Sequence, residues 1–264
     1  FDRAKMQIIY FHGHCGIQHN THYKIDEIVD YLEKSPVITM VISSLSSIFS
    51  KEYAEKDLID LNRYPLFIPT YWINPYIKEW KSDFLNISGT IIIRGIKLHP
   101  TANIYEPSTE FLRPVFDFCR EKKLFITLHT DTFRSSPVKL TELFIEYPDV
   151  DVILIHMDDP VNSIFLAKRL NNVYLETSWI ERKWKNFAPL KIALDSVDNH
   201  KIFFGSDFPY EFMLKNHEDQ VGTPRNYETI IDDYCELFSD EIAQKILFNN
   251  AKTFLKKYGL VVNI

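Results

Sequence analysis

The chain has 264 residues, 45% of them hydrophobic, so it can bury a large core in one α/β domain or in two small ones. Its 30 Lys and Arg residues against 36 Asp and Glu residues give a net charge of -6 with no basic block, which argues against nucleic acid and favours a small-molecule partner. No apolar run is long enough to span a bilayer, and the N-terminal residues lack the apolar core of a signal peptide, so we expect a cytoplasmic protein without a membrane partner.

The first apolar run, residues 8–11, leads into the motif His12-Gly13-His14. Alternate side chains of a strand lie on one face, so the two imidazoles can converge on one point, while Gly13 leaves little bulk on the opposite face. The motif is consistent with a strand that finishes in two metal ligands and also with two surface histidines. The ends of the later strands decide between these interpretations.

Beyond this motif, short β-type runs alternate with amphipathic helical segments. The predicted strands comprise residues 8–14, 37–43, 66–71, 91–99, 124–129, 152–156, 172–177 and 201–207. The predicted helices comprise residues 25–34, 50–62, 108–122, 137–147, 160–170, 188–197, 226–238 and 239–255, together with a helix that ends near residue 86. Eight strands separated by helices, with no low-complexity linker, predict a (β/α)8 TIM barrel that forms a single domain over residues 1–264, with additional C-terminal helices.

Five of the predicted strands end in side chains that can bind a metal or a substrate. These side chains are His12 and His14 on the first strand, Lys97 and His99 on the fourth, His129 on the fifth, His156 on the sixth and Asp207 on the eighth. The active sites of (β/α)8 barrels lie at the C-terminal ends of the strands. One histidine at the end of an apolar run is usually a core or capping residue, but the coincidence at five strand ends favours a metal site.

The chain resembles the amidohydrolase superfamily, especially its metal-dependent hydrolases and non-oxidative decarboxylases. The resemblance covers essentially the whole chain and rests on His12-Gly13-His14, residues 95–100, Leu128-His129, Ile155-His156, residues 205–209, Ile246-Leu247 and Asn249-Asn250-Ala251. It implies a divalent metal, usually zinc, held by His12, His14, His129 and Asp207. It also implies that His156 is a catalytic residue beside the metal or a ligand of a second ion. Relatives often have an aspartate two residues before the first histidine of the pair, where this chain has Tyr10.

The chemistry of these residue types is that of a hydrolytic metal site. Neutral imidazoles and a carboxylate are the usual ligands of zinc, and zinc lowers the pKa of a bound water to about 7. We predict that Asp207 accepts the proton as hydroxide attacks the carbonyl of a small amide, lactone or ester, and then delivers it to the leaving group. We predict that His156 polarises the carbonyl or stabilises the developing oxyanion.

Lys97 allows two interpretations. In binuclear relatives a lysine at the end of the fourth strand is carbamylated and bridges two metals, and residues 97–100 resemble this segment of the dihydroorotases. In the other interpretation Lys97 is an ordinary ammonium group that binds a substrate carboxylate beside a single ion. One zinc ion is the favoured count, and a second one requires a carbamylated Lys97.

Several further residues are candidates for contacts with the substrate. His99 shares a face with Lys97, and the aromatic residues Trp72, Tyr105, Trp179 and Phe208 follow strands on loops where they can wall an apolar part of the pocket. We assign substrate binding to Lys97, His99 and Trp179.

Two alternatives to hydrolysis remain at this stage. The same ligands support a metal-dependent non-oxidative decarboxylase of an aromatic or unsaturated carboxylic acid, and a catalytically silent metal-binding barrel is the third class. A homodimer is expected only by analogy with the family. The substrate itself is chosen by the loops that follow the strands, and their conformations do not follow from sequence patterns.

Overall fold

The structure is a computed structural model that describes residues 3–18, 20–210, 227–260 and 262. The strands are β1 (Ile8–Gln18), β2 (Thr21–Tyr23), β3 (Val37–Ser44), β4 (Phe67–Trp72), β5 (Gly95–Leu98), β6 (Phe125–His129), β7 (Val152–Ile155), β8 (Val173–Glu176) and β9 (Ile202–Phe203). The helices are α1 (Ile25–Leu32), α2 (Lys51–Leu61), α3 (Trp80–Ser88), α4 (Thr109–Lys122), α5 (Thr141–Glu146), α6 (Pro160–Arg169), α7 (Ile180–Lys183), α8 (Ala188–Ser196), α9 (Tyr227–Phe238), α10 (Asp240–Gln244) and α11 (Asn250–Lys257). Within these ranges, no helix combines the length and the apolar character needed to cross a membrane.

The strands form one curled sheet in the order β2-β1-β3-β4-β5-β6-β7-β8-β9. Neighbouring strands run parallel, except that β2 folds back antiparallel on the end of β1. The barrel closes between β1 and the segment that begins with β9. There the Phe11 N–H donates to the Phe204 carbonyl at 2.8 Å, and the His14 N–H donates to the Phe208 carbonyl at 2.7 Å. The predicted (β/α)8 barrel is therefore confirmed.

Two hydrophobic cores hold the barrel together. The larger one lies between the outer face of the sheet and the helices, and the smaller one fills the inside of the barrel. Phe254 of α11 belongs to the inner core, where its ring lies 5.4 Å from the ring of Phe11 and 5.1 Å from that of Phe203. The last helix thus packs against the floor of the barrel, which leaves the opposite end for the functional site.

A bulge in β1 decides which way its histidines face. Between Tyr10 and Gly13, three residues of β1 correspond to two residues of β3. Before the bulge the alternation is regular, because Tyr10 packs in the outer core and Phe11 in the inner core. Strict alternation would place His12 and His14 on the outer side with Tyr10, and the extra residue reverses this. Both histidines consequently line the cavity inside the barrel mouth.

The same bulge places Gly13 on the outer side of the sheet. A Cβ atom at Gly13 would lie 2.4 Å from the sulfur of Met40, which is fully buried in the outer core. This close approach confirms that the position between the two histidines requires a residue without bulk.

Several boundaries differ from the predicted ones. The predicted strand 91–99 is a strand only over β5, because Ile92 is 59% exposed and the first part of the run is not covered on both faces. The first strand does not finish at the histidines but continues to Gln18, where pairing with β2 satisfies its backbone. The predicted C-terminal helix 239–255 is divided into α10, a π-helical turn and α11.

Candidate active site

A cavity of about 250 Å³ opens at the C-terminal ends of the strands. Every residue predicted for metal binding, catalysis or substrate binding lines it: His12, His14, Lys97, His99, His129, His156, Trp179 and Asp207. These residues come from β1 and from the ends of strands that follow it over almost two hundred positions of the sequence. The fold thus brings the whole predicted set into one place.

His12, His14 and Asp207 form a group that can hold a metal ion. Their ligand atoms all lie within 4.8 Å of one another. His14 Nε2 is 3.1 Å from Asp207 Oδ1, and His12 Nε2 is 3.5 Å from the same oxygen. Two ligands of a tetrahedral zinc ion, each at about 2.1 Å from it, lie about 3.4 Å apart. The donor types and their separations therefore fit a zinc ion.

The ligand atoms of His14 and Asp207 are oriented by groups behind them. Ser43 approaches His14 Nδ1 with its Oγ at 3.1 Å and its carbonyl oxygen at 3.3 Å, so that Nε2 faces Asp207. Trp179 Nε1 donates to Asp207 Oδ2 at 2.6 Å. Such partners fix the orientation of metal ligands.

Burial keeps four imidazoles of the cavity neutral, those of His12, His99, His129 and His156. It is the largest cause that lowers the pKa of His12, His99 and His129 well below the usual range. Burial also lowers the pKa of His156 to about 3. The positive charge of Lys97 acts in the same direction on all four. A neutral imidazole is the form that binds a metal.

The carboxyl group of Asp207 is held in its ionised form. Burial by itself would raise its pKa, but the hydrogen bonds with His14 and Trp179 hold that pKa below its usual value. An anionic oxygen next to the neutral imidazole of His12 is a charge arrangement that suits a divalent cation.

His129 lies in the cavity but outside this ligand group. Its ring stacks on that of His99 at 3.6 Å between centroids and meets the ring of His156 edge-on at 4.9 Å. Among the described residues, two groups have ligand atoms close enough to share an ion, namely His12/His14/Asp207 and His12/His156/Glu176. The assignment of His129 as a ligand therefore stays a prediction.

Lys97 is almost completely buried, with 1% of its surface exposed. Its Nζ lies 3.2 Å from His12 Nε2 and 5.9 Å from the centre of the Trp72 ring. Burial lowers the pKa of Lys97 to about 8, although Asp207 and Glu176 oppose this shift. An amine in this position can bind a substrate carboxylate, and in its neutral form it can also be carbamylated.

Three residues of the cavity have left-handed backbone conformations. The φ angles are 76° at His156, 65° at Trp179 and 60° at Asp207. For a residue other than glycine, such a conformation costs about 1–3 kcal/mol and is typical of functional sites. At His156 the consequence is visible, because Ile155 packs inside the barrel and the next side chain also faces the cavity instead of the outer core.

Glu176 was missed by the sequence analysis, although it lies fully buried at the end of β8. Its Oε1 accepts from the Ser178 N–H at 2.8 Å, and its Oε2 accepts from Ser178 Oγ at 2.7 Å and from the His156 N–H at 3.1 Å. Burial raises the pKa of Glu176 to about 8, and these hydrogen bonds oppose the shift. Alternation with Tyr174, which packs on the inner core, places Glu176 at an inward position and could have identified it.

The aromatic residues expected to wall the pocket divide into two pairs. Trp72 and Trp179 line the cavity. Tyr105 and Phe208 do not line it, because they are 1% and 0% exposed and belong to the outer core between sheet and helices. For these two residues, the position on a loop after a strand was misleading, since both side chains pack in the outer core.

Comparisons with known proteins agree with this architecture. An uncharacterized TIM-barrel protein from Bordetella bronchiseptica superposes with a TM-score of 0.72 at 16% identity, over 96% of this chain and 100% of the other. An amidohydrolase from Burkholderia multivorans with bound zinc gives 0.70 at 13% identity, over 97% and 100%. A dihydroorotase from Campylobacter jejuni gives 0.66 at 15% identity, over 100% and 87%. At such identities these structures support the fold alone.

The sequence comparisons concern the family. A search of curated proteins gave no match. The model of the amidohydrolase family matches residues 91–257, which is more than half of the chain and includes Lys97, His129, His156 and Asp207. The chain therefore belongs to the amidohydrolase family.

Proposed function

We propose that the protein is a zinc-dependent hydrolase that attacks the carbonyl of a small amide, lactone or ester. The observation that carries the proposal is the convergence of His12 Nε2, His14 Nε2 and Asp207 Oδ1 in the cavity at distances that suit a zinc ion. His129 is the proposed fourth ligand. The amidohydrolase from Burkholderia multivorans, which has the same fold, contains zinc. When bound, zinc supplies a water whose pKa is about 7.

The residues of the chain perform the proton transfer and the charge stabilisation. Asp207 is ionised and directs Oδ1 at the proposed metal position, while Trp179 holds its other oxygen at 2.6 Å. It can therefore accept the proton of the attacking water and return it to the leaving group. His156 lies on the same side of the cavity, 4.9 Å from His12 between ring centroids, within reach of a carbonyl bound there.

A second candidate function is the non-oxidative decarboxylation of an aromatic or unsaturated acid. The observation that favours it is the buried Lys97, whose Nζ can hold a carboxylate beside the ligand group. The same contact suits a lactone or cyclic amide that carries a carboxylate, so Lys97 does not separate the two functions.

A panel of substrates distinguishes the two functions. Lactones, cyclic amides, esters and aromatic acids, each with and without a carboxylate substituent, are incubated with the protein in buffer that contains zinc, and the bound metal is measured. We expect acid release from a carboxylate-bearing lactone or amide, measured by a pH indicator, without carbon dioxide. Carbon dioxide release would favour the decarboxylase, and no reaction of any compound together with no bound metal would favour a catalytically silent barrel.

The shape of the pocket suggests a substrate with an apolar part. A second cavity of about 580 Å³ adjoins the first and is lined mainly by apolar side chains. Gln18, Leu45, Ile48 and Ala102 line both cavities, and Phe49 is a further wall of the second one. We infer that the reacting carbonyl enters the histidine-rich cavity while an alkyl or aryl group remains between Ile48 and Leu45.

Ile48→Asp is expected to raise KM for an alkyl-substituted lactone about 10-fold and to leave kcat nearly unchanged. The reason is that Ile48 would contact the alkyl group equally in the bound substrate and in the transition state. The unsubstituted lactone should show a smaller increase, since it lacks the group that lies between Ile48 and Leu45. Ile192→Asp, which changes an isoleucine on α8 that is 58% exposed, is the matched control. An equal loss for both lactones would contradict the assignment of the apolar part.

A further inference from the structure

We propose that Glu176 and Ser178 form a buried positioning pair that holds the ring of His156 in one orientation and one tautomer. The inference rests on the proposed function, in which His156 acts on the carbonyl oxygen of the substrate. His156 Nδ1 contacts Ser178 Oγ, so Nε2 is the nitrogen available for this role. Neither Glu176 nor Ser178 lines the cavity, so their effect on the reaction passes through the imidazole.

Glu176 is anchored from several directions. Both of its oxygens accept backbone N–H groups, Oε1 from Ser178 at 2.8 Å and Oε2 from His156 at 3.1 Å. The side chain of Ser178 makes a further hydrogen bond with Oε2 at 2.7 Å. A side chain with 0% exposure and three such contacts has no room to change its rotamer. Glu176 therefore fixes the position of the Ser178 hydroxyl.

The Ser178 hydroxyl in turn contacts one of the two ring nitrogens of His156. Its Oγ lies 2.7 Å from His156 Nδ1. When Glu176 is ionised, Ser178 donates to it and accepts from His156 Nδ1–H; when Glu176 is protonated, the chain of hydrogen bonds runs in the opposite direction. A hydroxyl has one proton, so each direction allows only one tautomer of the imidazole. In both cases Nδ1 is occupied and Nε2 faces the cavity. When Glu176 is protonated, Nε2 carries the proton and can donate to a carbonyl oxygen or an oxyanion; when Glu176 is ionised, Nε2 is an acceptor.

Glu176 and Ser178 also lie close to His12, a proposed metal ligand. His12 Nδ1 lies 3.4 Å from Ser178 Oγ and 3.8 Å from Glu176 Oε2. Both contacts are on the side of the ring that faces away from Asp207. The proposed ligand atom of His12, Nε2, is thus backed by the same two residues that orient His156.

The backbone at Gly205 approaches Glu176 so closely that no side chain fits between them. A Cβ atom at Gly205 would lie 1.8 Å from Glu176 Oε1 and 3.2 Å from the Cβ of His12. Glu176 is held from the other side by backbone N–H groups, so it could not yield without breaking those hydrogen bonds. Gly205, on the segment that leads to Asp207, leaves the space that the carboxyl group occupies.

The test uses the tautomeric state of His156, which a merely structural role would not change. In metal-free protein labelled with ¹⁵N-histidine, long-range ¹H–¹⁵N correlation separates a protonated ring nitrogen from an unprotonated one, and His156→Gln identifies the signal. We expect one pure tautomer in the parent protein and an averaged signal in Ser178→Ala. We also expect kcat of Ser178→Ala to fall about 10- to 100-fold, as is usual for partners behind an active-site histidine.

Three variants control the experiment. Ser163→Ala removes the hydroxyl of another fully buried serine, on α6, for which no partner is found among the described residues, and it should change neither the tautomer nor kcat. Ser178→Thr keeps the hydroxyl and should restore the single tautomer. Gly205→Ala should displace Glu176 and reproduce the effect of Ser178→Ala from the other side of the carboxyl group.

The outcomes separate this inference from the proposed function. Mixed tautomers in the parent protein, or an unchanged single tautomer in Ser178→Ala, would overturn the positioning pair even in an active hydrolase. A single tautomer that is lost in Ser178→Ala supports the pair even where no substrate of the panel reacts, in which case the proposed function is what has failed.

Discussion

Asp207→Asn is expected to lower kcat by about 10²–10⁴-fold, because the amide cannot accept the proton of the attacking water. The change keeps the shape of the side chain, and its remaining oxygen can still accept from Trp179 Nε1, which now lies 2.6 Å from Oδ2. We therefore expect the fold to persist. Steady-state kinetics on the reactive substrate of the panel, together with circular dichroism and the thermal midpoint, measure both effects.

A matched control is available at another buried aspartate. Asp57, with 9% exposure, accepts from Ser44 Oγ at 2.6 Å and from Ser46 Oγ at 2.7 Å, and it does not line the histidine-rich cavity. Asp57→Asn makes the same chemical change and should keep kcat near the parent value. Near-normal turnover in Asp207→Asn would remove Asp207 from the proposed mechanism.

Removal of the metal by a chelator is expected to abolish activity and to lower the thermal midpoint, and added zinc should restore both. The ion would bind side chains that the folded chain alone brings together, and a ligand at 100 times its Kd stabilises the native state by about 2.7 kcal/mol. The measurements are activity and thermal unfolding across a zinc titration, with metal analysis of the same samples.

His14→Ala should lose the response to zinc in both assays, since it removes one of the three converging ligand atoms. His200→Ala is the control, because the side chain of His200 is 64% exposed and does not line the cavity. Full activity of the chelated, metal-free protein would contradict the zinc-dependent mechanism.

The same samples decide how many ions are present. A single ion per chain, with an unmodified Lys97 by mass spectrometry under gentle conditions, corresponds to the favoured interpretation. In that case Lys97→Met should raise KM for carboxylate-bearing substrates and leave the metal content unchanged. Two ions per chain with a modified Lys97 would establish the carbamylated alternative, and Lys97→Met would then lower the metal content.

The alternation of strands and helices could be predicted from the sequence because it depends on local patterns of apolar and polar residues. Apolar runs separated by amphipathic segments predicted the eight parallel strands, and parallel strands covered by helices form either a closed barrel or an open doubly wound sheet. Lys97, His129 and Asp207 were also found in this way, since each stands near the end of an apolar run and the C-terminal ends of barrel strands meet at one site.

Other features depended on contacts between distant segments. Glu176 was overlooked: alternation with Tyr174 indicates its inward position, but its contact with the His156 N–H and the space that Gly205 leaves for it depend on segments distant in the sequence. Tyr105 and Phe208 were placed at the pocket by their loops, but tertiary packing buries both in the outer core. Side-chain partners of this kind are set by the packing of separate elements.

The motif His12-Gly13-His14 separates most clearly what the sequence determines from what the tertiary structure determines. By itself the sequence determined that the two histidines share a face and that the position between them needs no side chain. It did not determine which face this is, because one extra residue in β1 before Gly13 reverses the alternation that begins at Ile8. Only the pairing of β1 with β3 in the closed barrel establishes that bulge, and with it the inward position of both imidazoles.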